Sequence, residues 1–112
     1  MAETRKPKPP AHLAAPTRRW WSAVVDEYVL DPHHVRLLTL AAESWDRAAQ
    51  ARRILADEGL TFEDRWGAPH PRPEVAIERD SRVAFARLLR ELALDVSAPD
   101  DSRPPGLGGR RR

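Results

Sequence analysis

Two long stretches of this chain repeat with the period of an amphipathic helix, and prolines separate them. The second stretch, Pro71 to Leu94, is the more constraining because its two faces differ in kind. At about 100° per residue, Ile77, Ala84, Phe85, Leu88, Leu89 and Leu92 form a core stripe. Arg72, Arg79, Arg82, Arg87 and Arg90 gather opposite, among Val75, Ala76, Val83 and Ala86. An ordinary solvated face mixes acids among its bases. Here Glu74, Glu78, Asp80 and Glu91 stay at the flanks. One helix with an apolar face and an arginine-plus-small-residue face has two surfaces to cover. That second face meets another copy of the chain, nucleic acid, or both, or is simply solvated.

The first long stretch opens at Asp31-Pro32, an aspartate cap followed by proline at the first helical position. Leu37, Leu38, Ala41, Ala42, Trp45, Ala48, Ala49 and Leu55 fill one broad face, and Gly59 is the expected stop. The polar face carries Arg36, Thr39, Glu43, Asp46, Gln50, Arg53 and Asp57. Upstream, Trp20, Trp21, Val24, Val25 and Tyr28 share one side of a short helix, with Thr17 as its expected cap. Leu60 to Pro73 is a connector in which a small hairpin is possible, because Pro69, Pro71 and Pro73 forbid a regular helix until then. The expected fold is all-α: a short N-terminal helix and a long antiparallel helical hairpin, with an irregular or small β-hairpin connector and flexible termini. The long helices span roughly 30–40 Å each at 1.5 Å per residue.

Composition divides the chain in three: a basic arm over 1–15 with no periodicity, a helical domain over 16–94, and a tail over 95–112 rich in proline, glycine and charge. The net charge of +2 is unevenly placed. Residues 1–19 carry Arg5, Lys6, Lys8, Arg18 and Arg19 against Glu3, net +4, whereas residues 20–94 are net −3. A near-neutral folded middle with a basic arm is common in nucleic-acid binders. It is equally the pattern of a solubilising extension. No run approaches the ~18 apolar residues of a membrane span, and the basic N-terminus is not followed by the apolar stretch of a signal peptide.

The search for chemistry is negative. The chain has no cysteine. His33 and His34 are adjacent, His12 lies in the arm, and His70 sits between prolines, so no metal-ligand spacing exists. No serine sits in a nucleophile elbow or an SxxK pair, and the acids are spaced as solvated helix faces. Gly106-Leu107-Gly108-Gly109 precedes no helix and cannot cradle a phosphate. The expectation is a protein without catalytic residues, metal or cofactor. Trp20, Trp21 and Trp45 are expected in the core, although the breadth of the Trp20-Trp21 arc would let one pack across a subunit boundary. Trp66, in a polar turn, is expected to be the most exposed.

The ordered pattern resembles the small terminase subunits of tailed bacteriophages over Pro16 to Pro105. It is carried by Trp20-Trp21 with Val24-Val25, the helix from Leu37 to Trp45, the stop at Gly59, and the Gly67…His70-Pro71 connector. It closes with Leu88-Leu89-Arg90-Glu91-Leu92-Ala93-Leu94 and Ser102-Arg103-Pro104. The chain departs from that family's pattern in having Ala93 for glycine and Asp95-Val96 where threonine-proline is expected. The resemblance implies a non-enzymatic packaging protein in the bacterial host's cytoplasm. It implies a homo-oligomer, commonly a ring, that recognises the phage packaging site on DNA and regulates the large terminase subunit. On that reading Arg5, Lys6, Lys8, Arg18 and Arg19 contact DNA. Arg72, Arg79, Val83, Ala86 and Arg90 form a subunit contact, the flanking acids favouring ion pairs between copies. The rival readings are a small dimeric helical DNA-binding regulator and a helical adaptor with no DNA role. A regulator of the helix-turn-helix type needs a tight turn, and the connector between the long helices has 14 residues.

Overall fold

The computed structural model describes residues 6–97, with side chains through Leu92. Three helices and one two-stranded sheet follow in order: α1 (Ala15–Glu27), α2 (Pro32–Glu58), β1 (Thr61–Glu63), β2 (Pro69–Pro71) and α3 (Pro73–Ser97). The mostly helical fold with a β-hairpin connector is the expected one. Arg5 and residues 98–112, including Ser102-Arg103-Pro104, lie outside the described residues.

Local chemistry sets the helix boundaries. Asp31 caps α2 with Pro32 in the first turn, and the Asp31 N–H donates to His34 Nδ1 at 3.3 Å. Gly59, at φ 91°, ends α2 and donates its N–H to the Leu55 carbonyl. The start of α1 differs from expectation. The cap position is Ala14, and Thr17 is buried inside the helix. Its hydroxyl donates to Asp46 Oδ1 at 2.6 Å, and the Ala14 N–H donates to Asp46 Oδ2 at 2.8 Å. One carboxylate on α2 therefore ties the start of α1 to α2, and α1 has no side-chain cap of its own. α3 begins at Pro73, the last of the three connector prolines, and runs three residues past Leu94.

α2 and α3 pair antiparallel along their length. Trp45 packs on Phe85 with ring centroids 5.0 Å apart, and Arg52 meets Glu78 at 3.3 Å. Seven residues forward on α2 thus correspond to seven back on α3. Ala41, Ala42, Ala48 and Ala51 are buried along α2, and such small side chains let backbones approach. α1 closes one end. Leu13, Trp21, Leu38, Ala42 and Leu92 form the core there, with Trp20, Val24, Val25, Leu30, Val35 and Leu37 packed around them. Trp21 is 1% exposed, and its Nε1 donates to Thr39 Oγ1 at 3.2 Å. It is buried within its own chain rather than at a boundary.

Three residues expected in the core are more than a third exposed. Trp45 is 49% exposed, Ile77 39% and Leu89 37%. The reason is coverage: α1 packs chiefly on α2 and leaves a flank of α3 open. Leu13, expected within the arm, is buried instead.

The hairpin is antiparallel, with Phe62 opposite His70 and flanking pairs Thr61–Pro71 and Glu63–Pro69. Backbone bonds from Asp64 to Ala68 and from Arg72 to Leu60 place the hydrogen-bonded positions at alternate residues. The nitrogens of Pro69 and Pro71 therefore fall on the outer edge, where no donor is needed. The Arg72 guanidinium donates to the carbonyls of Glu58, Gly59 and Thr61 at 3.1–3.3 Å. It caps the negative end of α2 and fixes the hairpin to it.

Truncating Trp21 to alanine should destabilise the chain by about 3–5 kcal/mol. Trp21→Phe should lose about 1 kcal/mol for the missing bond to Thr39, besides any packing change. Urea denaturation followed by circular dichroism measures both.

Candidate nucleic-acid and subunit surfaces

Of the cations expected to meet DNA, Arg18 and Arg19 lie on α1 and Lys6 lies beside it. Residues 6–14 form no helix or strand, but they fold back on the helices. Lys6 Nζ meets Asp26 Oδ1 on α1 at 3.1 Å, and His12 Nε2 meets Glu43 Oε2 on α2 at 2.8 Å. Pro9, Arg18, Arg19, Ser22 and Asp26 line one shallow open depression. Lys6, Lys8 and Arg19 are exposed, and Arg19 lines that depression. Arg18 is half-buried and donates to the backbone carbonyls of Leu13 and Ala11, so part of its donor capacity anchors the segment. The arm is thus a strap ending in a buried Leu13. The only sequence sign of that anchor is one leucine among prolines and alanines.

The residues expected at a subunit contact divide in two. Arg79, Val83, Ala86 and Arg90 are exposed on the side of α3 away from α2, with Val83 at 40% exposure. Arg72 is drawn off that face into its clamp on α2. The flanking acids divide likewise. Glu78 accepts from Arg82 on its own helix and from Arg52 on α2, which holds its carboxyl below the ordinary carboxylate range. Asp80 pairs with neighbouring Arg79 at 3.2 Å, both well exposed.

Apolar surface also remains open. Pro16, Thr17, Trp20, Trp45 and Phe85 line one depression, and Trp20, Val24, Tyr28, Leu30, Leu38, Leu89 and Leu92 line a second beside it. At the other end of the molecule, Trp66 is 80% exposed with the Arg65 guanidinium 4.9 Å from its ring centre. The turn below it is tightly built. Asp64 Oδ1 accepts from the Trp66 and Ala68 N–H groups, Asp64 Oδ2 meets His70 Nε2 at 2.8 Å, and Gly67 takes φ 84°. The His70 bond, then the turn N–H groups, hold the Asp64 carboxyl below its ordinary range.

Asp31, His33 and His34 form the one cluster of potential metal ligands found among the described residues, their ligand atoms all within 4.8 Å. They surround the N-terminus of α2, whose positive end opposes a cation, and His34 Nδ1 already accepts from the Asp31 N–H. No described helix is long and apolar enough to cross a membrane.

These surfaces sit on a chain that matches the family model for the small subunit of phage terminase over residues 18–105.

The chain belongs to the phage terminase small-subunit family.

No curated protein and no solved structure matches it. The matched residues begin beside the Trp20-Trp21 pair and include all of α2, the hairpin and α3. Membership assigns this terminase small subunit a role in phage genome packaging, in a family that is generally non-catalytic.

Because the Asp64 carboxyl is held low, its contribution to the turn is complete above the ordinary aspartate range, about pH 4. It is lost as pH falls through the lower folded value. In an NMR titration the Trp66 and Ala68 amide shifts should move together below that range. Asp64→Ala should abolish the transition.

Proposed function

We propose that this terminase small subunit acts as a homo-oligomeric ring in the cytoplasm of the bacterial host. It recognises the packaging site on viral DNA and regulates the large terminase subunit, including its ATPase and nuclease, without catalysis of its own. The observation that carries the reading is the outer side of α3. Arg79, Val83, Ala86 and Arg90 are exposed along a helix whose opposite side is already packed on α2. A helix placed this way offers a second, unlike surface, and unlike surfaces repeated by rotation close into rings. Arg72 supports the contact from within, by fixing the start of α3 against the end of α2.

DNA is held by Arg5, Lys6, Lys8, Arg18 and Arg19. The exposure of Lys6, Lys8 and Arg19, with Lys6 paired to α1 and Arg19 on it, supports this assignment. Arg18 acts mainly by anchoring the strap. Each subunit supplies a few weak phosphate contacts, and repetition around the ring turns them into useful avidity.

Native mass spectrometry of the full chain tests assembly, and fluorescence anisotropy with packaging-site DNA tests recognition. Stable assemblies larger than a dimer are expected, and a monomer or dimer at every concentration overturns the ring. Deleting residues 1–19 would remove Leu13 and Thr17 from the core, so neutralisation is the cleaner test of the DNA surface. Lys6→Gln, Lys8→Gln and Arg19→Gln together should weaken binding and flatten its salt dependence by roughly 0.9 log units for each phosphate no longer neutralised. An unchanged slope removes the strap from the DNA surface.

A further inference from the structure

We infer that the outer side of α2 in one copy packs antiparallel on the outer side of α3 in the next, at equal height, with Glu43 opposite Arg87, Arg47 within one turn of Asp80, and Ile54 over Ala76. The inference rests on the oligomer reading above and names the surface that receives α3.

The height correspondence comes from the pairing inside one chain. Trp45 packs on Phe85 and Arg52 on Glu78, which fixes the relative height of every position on the two helices. Two residues before Trp45 is Glu43, and two beyond Phe85 is Arg87. Two beyond Arg52 is Ile54, and two before Glu78 is Ala76. Arg47 is level with Val83 and lies within one turn of Asp80. Rotation about an axis parallel to the two helices keeps all copies at one height, so positions level within a chain are also level between neighbours.

The faces are open except where the strap's His12, Leu13 and Ala14 border the depression that Glu43 and Arg47 also line. Glu43, Arg47 and Ile54 lie within about 40° of each other on α2, on the side turned from Ala41, Trp45, Ala48 and Arg52. Ile54 is 40% exposed, and Arg47 is exposed. Ala76, Asp80 and Arg87 share a similarly narrow side of α3. Arg87 and Asp80 are exposed, and Ala76 is half-buried. His12 occupies one oxygen of Glu43, at a contact whose two side chains are 61% and 37% exposed.

Charge selects this register over its neighbours. Sliding the helices by seven residues preserves the helical faces but changes the partners. In one direction Glu43 comes level with Asp80. In the other Arg47 comes level with Arg90. Both slides bring like charges level, whereas the unshifted register sets Glu43 level with Arg87, Arg47 level with the neutral Val83, and a large apolar side chain over a small one. Complementary charges of this kind fix register and reject wrong pairings.

The test is a charge exchange read by native mass spectrometry and analytical ultracentrifugation on the full chain, with circular dichroism confirming the fold. Glu43→Arg and Arg87→Glu should each raise the concentration needed for assembly by about tenfold, the size expected of a facing charge pair. The combined exchange should restore most of the wild-type assembly, as directly coupled residues do. A combined variant no better than the worse single change overturns the pairing. So does unaltered assembly of both single variants. Because the chain has no cysteine, Ile54→Cys with Ala76→Cys gives a second readout. A bridge needs Cα atoms about 4.4–6.8 Å apart, and these two side chains point away from each other within one copy. Mild oxidation of the double-cysteine variant should give covalent species larger than a dimer. Uncrosslinked chains, or crosslinking that stops at dimer, would overturn the arrangement. A wild-type chain that stays monomeric overturns the oligomer reading itself, whereas wild-type assembly with failed exchange and crosslinking overturns only this register.

Discussion

The antiparallel contact between α2 and α3 is the constraint from which the rest of the molecule follows. Buried alanines on α2 allow close approach, and two cross-helix contacts, Trp45 with Phe85 and Arg52 with Glu78, fix the register. Once that register is set, the hairpin has a base of fixed width, and Arg72 reaches back to the last carbonyls of α2. The opposite end gains a platform onto which Trp21 and Leu13 can pack. The same contact leaves the far side of α3, and the part of α2 beyond α1 and the strap, open, and that remaining surface is where the proposed function lies.

Helix periodicity, proline and glycine placement, and the Asp31-Pro32 start made the main elements legible in the sequence, because each is a local property. Burial was less legible. Trp45, Ile77 and Leu89 occupy apolar positions of their helices, yet a three-helix arrangement has too little surface to cover them all. Asp46 was the hardest to read. As one residue on a polar helical face it resembles any solvated acid, but it binds both the Ala14 amide and the Thr17 hydroxyl. Such a role depends on which segment crosses the helix, and periodicity carries no information about that.

The surface residues show the same division. The exposed positions on α3 were readable from the wheel, and so was the exposure of Trp66. The arginines were harder to separate. Arg72, Arg79 and Arg90 belong to one helical face in the sequence, but Arg72 lies before the first residue of α3 and turns toward three carbonyls. Arg18 and Arg19 are neighbours with unlike roles, one turned to the backbone of the strap and the other to solvent. Charge patterning identifies a basic region, and only three-dimensional contacts show which cations remain free to meet a partner.

The hairpin's edges bear on how identical copies coexist at close quarters. A short exposed strand is a template for another strand, and crowding many copies of it raises the hazard of sheet growth between them. Here Pro69 and Pro71 remove the donors from the edge of β2, and the Arg72 guanidinium occupies the Thr61 carbonyl on β1. Both edges are thereby blunted against runaway pairing. The feature that tethers the connector to its helix would also let the copies of the proposed ring gather without polymerising through this sheet.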